Sequence, residues 1–402
     1  MAEPPTLGPA TRDATIEPGS TFVSLGPGDP APRFRQRISS GGLFSLDKAA
    51  GRYVVLCFLV TGGDATGSET YESVRAHRNI FDGIRASFFG VSLDQADEAV
   101  RRLGTGLPGI DMFWDFDASV ARQYGAVARD VQAPGAGVSA RRFWLVLDPL
   151  LRIMKVVPFR PDGSDRQEIF SYIEALPPTD RFTGAEHQAP VLMLPNVFEP
   201  DLCRRLIGLY ETHGGAESGF MRERDGKTVI VTDPAHKRRR DYTIEDAGLI
   251  DQIKLRIARR ILPEIARAYQ FNVTRIERFI VACYAAEEDG HFNAHRDNTT
   301  KGTAHRRFAV SLNLNDGYDG GEVTFPEYGP KGFKPQPGAA VVFSCSMLHA
   351  ANKVTRGKRY VFLPFLYDEA AAAIREQNNP FLDPAIGEYR ADIDGCNIVK
   401  SV

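Results

Sequence analysis

Residues 291–300 read HFNAHRDNTT. His295 and Asp297 lie two apart, and in an extended chain residues two apart point to the same side. An imidazole nitrogen and a carboxylate oxygen then converge on one point. His349 follows 52 residues after Asp297 (349 − 297), at the end of the apolar run AAVVFSCSMLH, 339–349. Two imidazoles and one carboxylate are the donor set that suits non-haem iron(II), and they leave three coordination positions open. Two of these can take a bidentate keto acid and the third molecular oxygen. An isolated His-x-Asp also arises by chance in surface turns, so the surrounding sequence has to decide.

Arg359 stands ten residues after His349, in GKRYVFLPFL, 357–366. If this stretch is a strand, Arg359, Val361, Leu363 and Phe365 share one face. A cation on an apolar inward face is costly unless it is paired. A keto acid with a distal carboxylate would supply the partner through a two-pronged guanidinium contact. Asn313 alternates inward with Ser311 and Asn315, where it can hydrogen-bond the keto acid. Arg307 can reach substrate or co-substrate, or form a salt bridge to Glu322 or Asp316. His291 reads as a neighbour of the ligands or a surface residue, and His305 as solvated or structural. The basic run HKRRRDYT at 236–243 reads as a solvated face, or else as a lid recruiting an acidic substrate group.

Around this constellation, residues 275–366 carry short apolar runs punctuated by Gly, Pro, Asn and Asp. That pattern predicts an all-β sandwich or barrel. Helical stretches at about 199–213 and 246–270 precede it as support. The Pro-rich segment 177–190 (PPTDRFTGAEHQAP) marks a boundary. Upstream, RYVVLCFLV at 52–60 is a continuous apolar run, as in a buried parallel strand. Helix-like and strand-like stretches alternate from there: 68–84 with Ser68 as N-cap, 86–94, 95–103, 111–117, 143–148, 152–157 and 166–176. This order predicts a mixed sheet covered on both faces. The organisation expected is a disordered tail at 1–19, an α/β domain at 20–178, a linker at 179–189, an α+β domain at 190–377 and a loosely docked tail at 378–402.

Composition narrows the function classes. Of 402 residues, 43% are hydrophobic and 25% charged, the balance of a globular protein, and the length favours two domains. A net charge of −2 creates no field that draws the chain to nucleic acid or membrane. No apolar run approaches a membrane span, and the N-terminus lacks a secretory pattern. Five scattered cysteines (Cys57, Cys203, Cys283, Cys345 and Cys396) suit free thiols in a reducing, cytoplasmic setting.

With these residues in view, the region from about 190 to 367 resembles the prolyl 4-hydroxylase-like branch of the iron(II)- and 2-oxoglutarate-dependent oxygenases. LMLPNVFEPDLCRRLIGLYE (192–211) looks like that family's opening segment, and CYAAEEDGHFNAHRD (283–297) like its tyrosine-to-metal segment. RRFAVSLNLNDGYDGGEVTFPEYG (306–329) looks like its central strand pair. The stretch from Gly338 to Phe365 looks like its closing motif. The resemblance implies a double-stranded β-helix (jelly-roll) with His295, Asp297 and His349 as ligands of Fe(2+). It also implies Arg359 on the distal carboxylate of 2-oxoglutarate and Tyr284 donating its hydroxyl to that co-substrate. AAEED lengthens the stretch between Tyr284 and His295 relative to the family. The implied activity is hydroxylation of a C–H bond in a small-molecule or prolyl/peptidyl substrate, with molecular oxygen consumed and succinate and CO2 released. Ascorbate enters as an accessory reductant in that family.

Residues from about 20 to 178 resemble a thioredoxin-fold peroxiredoxin of the alkyl hydroperoxide reductase type. LGPGDPAPRF (25–34), GRYVVLCFLV (51–60) and RRFWLVLDPLLRIMKVV (141–157) carry this likeness. That family places its reactive cysteine in the loop after the strand, at a helix N-terminus that lowers the thiol pKa. Here the loop reads TGGDATGSETYES (61–73) and holds no cysteine. The peroxidase chemistry therefore does not carry over, and the expected role is either docking or homo-oligomer formation, or that of a passive fused relic. Three rivals frame the reading. A halogenase would lack the carboxylate that Asp297 supplies. A thiol peroxidase would need the missing cysteine. A catalytically silent scaffold would have no reason to keep His295, Asp297, His349 and Arg359 together.

Overall fold

A computed structural model describes residues 21–103, 107–131, 140–185 and 187–391. The expected tail at 1–19, the end of the chain after Ala391 and Cys396 lie outside the described residues. The chain forms two compact units that divide between His187 and Gln188, with residues 327–329 grouped with the first. Among the described residues no helix is long and apolar enough to cross a membrane.

The first unit is built on β1 (Tyr53–Val60), the apolar run read from sequence. It lies at the centre of a five-stranded sheet with β2 (Ala86–Ser92), β3 (Ile110–Trp114), β4 (Phe143–Leu147) and β5 (Ile153–Pro158). The order is β3-β2-β1-β4-β5. The β1–β2 and β2–β3 pairs are parallel, while β1–β4 and β4–β5 are antiparallel. Both faces of β1 must therefore be apolar, which explains its unbroken run. Tyr53, Val55, Cys57 and Leu59 pack on one face with Tyr71 and Val74 of helix α1 (Ala65–Ala76). Ile169, Phe170 and Ile173 of α2 (Ser164–Glu174) complete that layer.

Helix α1 begins earlier than the sequence reading. Asp64, not Ser68, is its N-cap, accepting from the Gly67 amide at 2.8 Å. A carboxylate cap outcompetes a serine one turn further in because it also offsets the helix dipole. Gly67 is required there, since a Cβ would fall 1.8 Å from the Thr61 carbonyl.

The second unit holds two main antiparallel sheets, besides the two-stranded pairs Phe220–Arg224 with Lys227–Val231 and Asp319–Gly320 with Val354–Arg356. The strands of the main sheets are β6 (Leu192–Leu194), β7 (Ala216–Glu217), β8 (Lys237–Arg238), β9 (Arg240–Thr243), β10 (Arg275–Glu277), β11 (Ile280–Ala285) and β12 (His291–His295). These are followed by β13 (Phe308–Asn313), β14 (Val323–Thr324), β15 (Gly332–Phe333), β16 (Ala340–Ser344), β17 (His349–Ala351), β18 (Lys358–Phe362) and β19 (Phe365–Tyr367). The large sheet runs β10-β19-β13-β18-β11-β9-β7, with β16 joining β13 to β6. The small sheet runs β8-β12-β17-β14-β15. This pair of sheets is the sheet-rich core expected of the oxygenase region.

Helices α3 (Pro200–His213), α4 (Ala247–Arg260) and α5 (Leu262–Tyr269) cover the large sheet, burying Leu206, Ile253, Ile257 and Ile265 against Val310, Leu312, Val342 and Phe362. The stretch read as one helix over 246–270 is two. Pro263 has no amide hydrogen to give the preceding turn, so the chain breaks at Ile261. Residues 378–391, read as loosely held, are anchored. Tyr389 is buried, and its backbone exchanges two hydrogen bonds with the Asn379 side chain, at 2.7 and 3.0 Å. That anchor is polar and short, so apolar patterning did not reveal it.

Candidate metal centre

The small sheet brings the three ligand candidates together. His295 ends β12 and His349 starts β17, and the two pair directly across the antiparallel ladder. Asp297 follows two residues on, its amide bonded to the Cys345 carbonyl at 3.0 Å. His295 Nε2 lies 3.5 Å from Asp297 Oδ1, and His349 Nε2 lies 3.3 Å from Asp297 Oδ2. All three donor atoms fall within 4.8 Å of one another. The other imidazole nitrogens face backbone carbonyls: His295 Nδ1 donates to Asn293 at 2.8 Å and His349 Nδ1 to Met347 at 3.1 Å. A carbonyl only accepts, so each Nδ1 carries the proton and each Nε2 presents its lone pair to the shared point.

Electrostatics keep the ligands in binding form. Burial lowers His295 to about 4, with the neighbouring His349 adding to the shift. Burial alone would raise the Asp297 carboxyl, but His349, His295 and Arg306 outweigh it and hold it below its ordinary value. A neutral imidazole and an ionised carboxylate are what a divalent cation needs. The donor set therefore fits iron(II).

The large sheet supplies the second part. Arg359 on β18 is 2% exposed and pairs across the ladder with Tyr284 on β11. Its Nε donates to Asn313 Oδ1 at 3.2 Å, and its Nη2 donates to Ser311 Oγ at 2.8 Å and to Asn313 Oδ1 at 3.0 Å. Among the described residues no carboxylate lies within ion-pair distance of it. A buried guanidinium held by neutral acceptors suits the carboxylate of a ligand. Asn313 is thus engaged with the anchor: its amide also donates to Tyr318 Oη and to the Pro335 carbonyl, both at 2.8 Å.

Tyr284 is buried, with the Arg359 guanidinium 5.5 Å from its ring. Its oxygen accepts from Arg239 Nη1 at 3.4 Å, which leaves its own proton to donate. The residues AAEED follow it directly, at 285–289. They form a short 3-10 turn, Ala286–Glu288, after which Asp289 takes a left-handed φ of 55°. Gly290 then passes so close to this strand that a Cβ would meet the Ala285 nitrogen at 2.6 Å and the Tyr284 backbone at 2.8 Å.

Arg307 is not brought to the metal point. Its guanidinium donates to the Ala304 carbonyl at 2.9 Å, with no ion pair to Glu322 or Asp316. Its neighbour Arg306 turns inward instead, forming a two-pronged pair with Glu277 at 2.7 and 3.0 Å and donating to the Asp297 carbonyl at 3.4 Å. His305 closes this network on Glu277 at 2.7 Å and is fully buried, the structural alternative. The alternation of β13, extended one residue back, puts Arg307 on the face of Ser311 and Asn313, so it gave no signal for Arg306; the partner Glu277 selects it. His291 sits at the edge, its Nδ1 bonded to the Asp289 carbonyl at 2.6 Å.

The basic run at 236–243 is not a solvated face. Lys237 and Arg239 are 5% exposed, while Arg238 and Arg240 face out. Arg239 pairs with Asp241 at 2.6 and 2.7 Å, and Lys237 Nζ donates to Ser218 Oγ at 2.7 Å and to the Gly219 carbonyl at 2.6 Å. The Lys237 ammonium lies 5.0 Å from the Phe292 ring, which stacks on His295 at 3.5 Å. Period-two alternation in RRRDYT was the signal.

In the first unit, the Asp64 carboxylate occupies the first turn of α1 and is paired with Arg142. Cys57 is fully buried within β1, where burial pushes its thiol well above the ordinary range. Neither arrangement provides a reactive thiolate.

Comparison with known proteins agrees with this division. Residues 279–367 match the 2OG-Fe(II) oxygenase superfamily, and residues 27–153 match the AhpC/TSA family. Apart from residues 327–329, each match lies within one of the two units, so each unit is similar to a different family. A PKHD-type hydroxylase of Pseudomonas putida (strain W619) is 34% identical over 127 residues, 28% of this chain and 54% of the relative. One from Prochlorococcus marinus (strain MIT 9301) is 36% identical over 74 residues, 18% of this chain and 33% of the relative. This chain thus spans from a third to about half the length of these relatives. A solved prolyl-4-hydroxylase structure from Pseudomonas putida shares 17% identity, covering 47% of this chain and 96% of that one at a TM-score of 0.35.

Proposed function

We propose that this protein is a 2-oxoglutarate-dependent dioxygenase that hydroxylates a C–H bond of a small molecule or of a prolyl or other peptidyl substrate. One observation carries the reading. A His-Asp-His donor set, with both Nε2 lone pairs aimed inward, shares a fold unit with a buried arginine that has no carboxylate partner among the described residues. Nothing structural requires both together.

On this reading His295, Asp297 and His349 hold Fe(2+), and Arg359 with Tyr284 holds 2-oxoglutarate. When bound, the metal supplies the coupling of 2-oxoglutarate decarboxylation, giving succinate and CO2, to oxygen insertion into the substrate. Asn293 and Met347 carbonyls fix the imidazoles so that binding needs no tautomer change. Ser311 and Asn313 orient Arg359 before the keto acid arrives, which limits the ordering that binding requires. Ala282, Val361 and Phe292 form an apolar wall that excludes water from the reacting atoms. Ascorbate is the accessory reductant that keeps the metal ferrous. The protein works in the cytoplasm without nucleic acid or membrane, and its first unit serves self-association.

The PKHD-type hydroxylase relatives support a prolyl or peptidyl class. A panel of prolyl peptides and free amino acids, incubated with iron(II), 2-oxoglutarate and oxygen, tests the function. The expected result is a product heavier by one oxygen atom together with matching succinate. A panel in which no 2-oxoglutarate is consumed would refute it.

A further inference from the structure

Among the described residues, Arg239, Arg306 and Arg359 are buried in the second unit and Arg278 is partly buried beside Arg306, and for the first three an anion is present or assigned. Arg239 is paired with Asp241, Arg306 with Glu277, and Arg359 is the anchor for 2-oxoglutarate. Arg278 is the fourth. Among the described residues no carboxylate lies within ion-pair distance of it. Its Nε donates to the Leu363 carbonyl at 2.9 Å. Its guanidinium lies 4.2 Å from the Phe365 ring centroid, and that of Arg306 lies 4.0 Å from the same ring. Since Arg306 touches the Asp297 carbonyl, Arg278 is linked to that metal-ligand candidate through Phe365 and Arg306, three contacts in all.

The backbone is held in an uncommon state to put it there. Arg278 has φ 58°, between β10 and β11, a left-handed conformation that an unbranched L-residue adopts at a cost of about 1 kcal/mol or more. Burial lowers the Arg278 guanidinium to about 10, and the charges of Arg239 and Arg306 add to that. Such a cation gains from an anion in a way that a solvated one does not. Leu363, its backbone anchor, packs on the apolar cluster of Ala282, Tyr284, Phe292 and Val361, and Phe292 stacks on His295. Arg278 is therefore bonded to a residue of the same apolar cluster that holds the ring stacked on His295.

We propose that Arg278 receives a carboxylate of the substrate, so that the C–H bond presented to the metal belongs to an acidic molecule or an acidic peptide. The planar pair Nη1 and Nη2 matches a two-oxygen group. This inference rests on the dioxygenase reading. Two sources share the chemistry: the free carboxylate of an amino acid, or an Asp or Glu side chain next to the target residue.

Binding to zinc-loaded full-length protein saturated with 2-oxoglutarate separates these outcomes without turnover. The probes are two matched pairs: L-proline against L-prolinamide, and acetyl-Gly-Pro-Asp-Gly-amide against its Asn counterpart. We expect the acid of one pair to bind at least about tenfold more tightly, and the pair that shows it identifies the source. The ratio should fall to about one in Arg278→Gln and return in part in Arg278→Lys, with thermal melts confirming that each variant folds. If wild type binds 2-oxoglutarate but does not prefer either acid, the substrate proposal falls and the dioxygenase reading stands. A preference that survives in Arg278→Gln also overturns it. Failure of wild type to bind 2-oxoglutarate at all would remove the dioxygenase reading itself.

Discussion

Tyr284 and Arg359 face each other on adjacent antiparallel strands, paired Cα to Cα, with the guanidinium 5.5 Å from the phenol ring. This pairing places a hydroxyl donor and a cation side by side on the large sheet, while the small sheet carries the three metal-ligand candidates. On the proposed function the co-substrate and metal roles fall to different sheets, and they should fail separately.

Arg359→Ala tests that separation. Removing one partner of a buried, hydrogen-bonded ion pair costs about 3–5 kcal/mol, or at least about a hundredfold in affinity. The 2-oxoglutarate dissociation constant should rise by that factor, while cobalt or zinc binding, measured calorimetrically, stays intact. An unchanged 2-oxoglutarate constant would move the anchor elsewhere.

Glu277→Gln should destabilise the second unit by about 3–5 kcal/mol, because it leaves the buried Arg306 without its counter-ion and weakens the bond from His305. Denaturant unfolding reads this directly. A loss below about 1 kcal/mol would mean that the network is a surface pair in effect.

Metal-free protein should lose stability as the solution is acidified through the range set by His295. Its folded pKa, about 4, lies below the ordinary imidazole value, so between the two the unfolded chain binds the extra proton. The contribution is complete above about pH 6.5 and is lost as pH falls toward 4. Thermal melts from pH 7.5 to 4.5, compared with His295→Gln, should show a shallower decline in the variant. Parallel curves would contradict the shift.

No thiol peroxidase activity is expected from the first unit. The loop after β1 ends in Asp64 rather than a thiol, and Cys57 is sealed within the sheet. Peroxide consumption with a thiol reductant, above the protein-free rate and persisting after metal removal, would show otherwise.

Much of this was legible in the sequence, for identifiable reasons. The His295-x-Asp297 spacing names a strand face because a strand has period two, and β12 obeys it up to the ligands. The run at β1 announced a buried central strand because both of its faces are covered. Other features were hidden because their cause is not periodic. Asp64 and Ser68 are both competent caps, and only the Gly67 approach to Thr61 decides between them. Arg306 and Arg307 are adjacent cations, and it was Glu277, almost thirty residues earlier, that selected the first. Arg278 drew no attention because nothing in its local sequence reveals an absent partner or a positive φ.

The most direct test of the account is succinate release from 2-oxoglutarate by the purified full-length protein, assayed after metal removal and reconstitution with iron(II), alongside His349→Ala. Purification can leave zinc, nickel or copper in such a site, so reconstitution is essential. The account predicts turnover that requires added iron, is abolished by a chelator and is absent from His349→Ala although that variant remains folded. Equal turnover by wild type and His349→Ala, or none from wild type at saturating iron and 2-oxoglutarate, would contradict it.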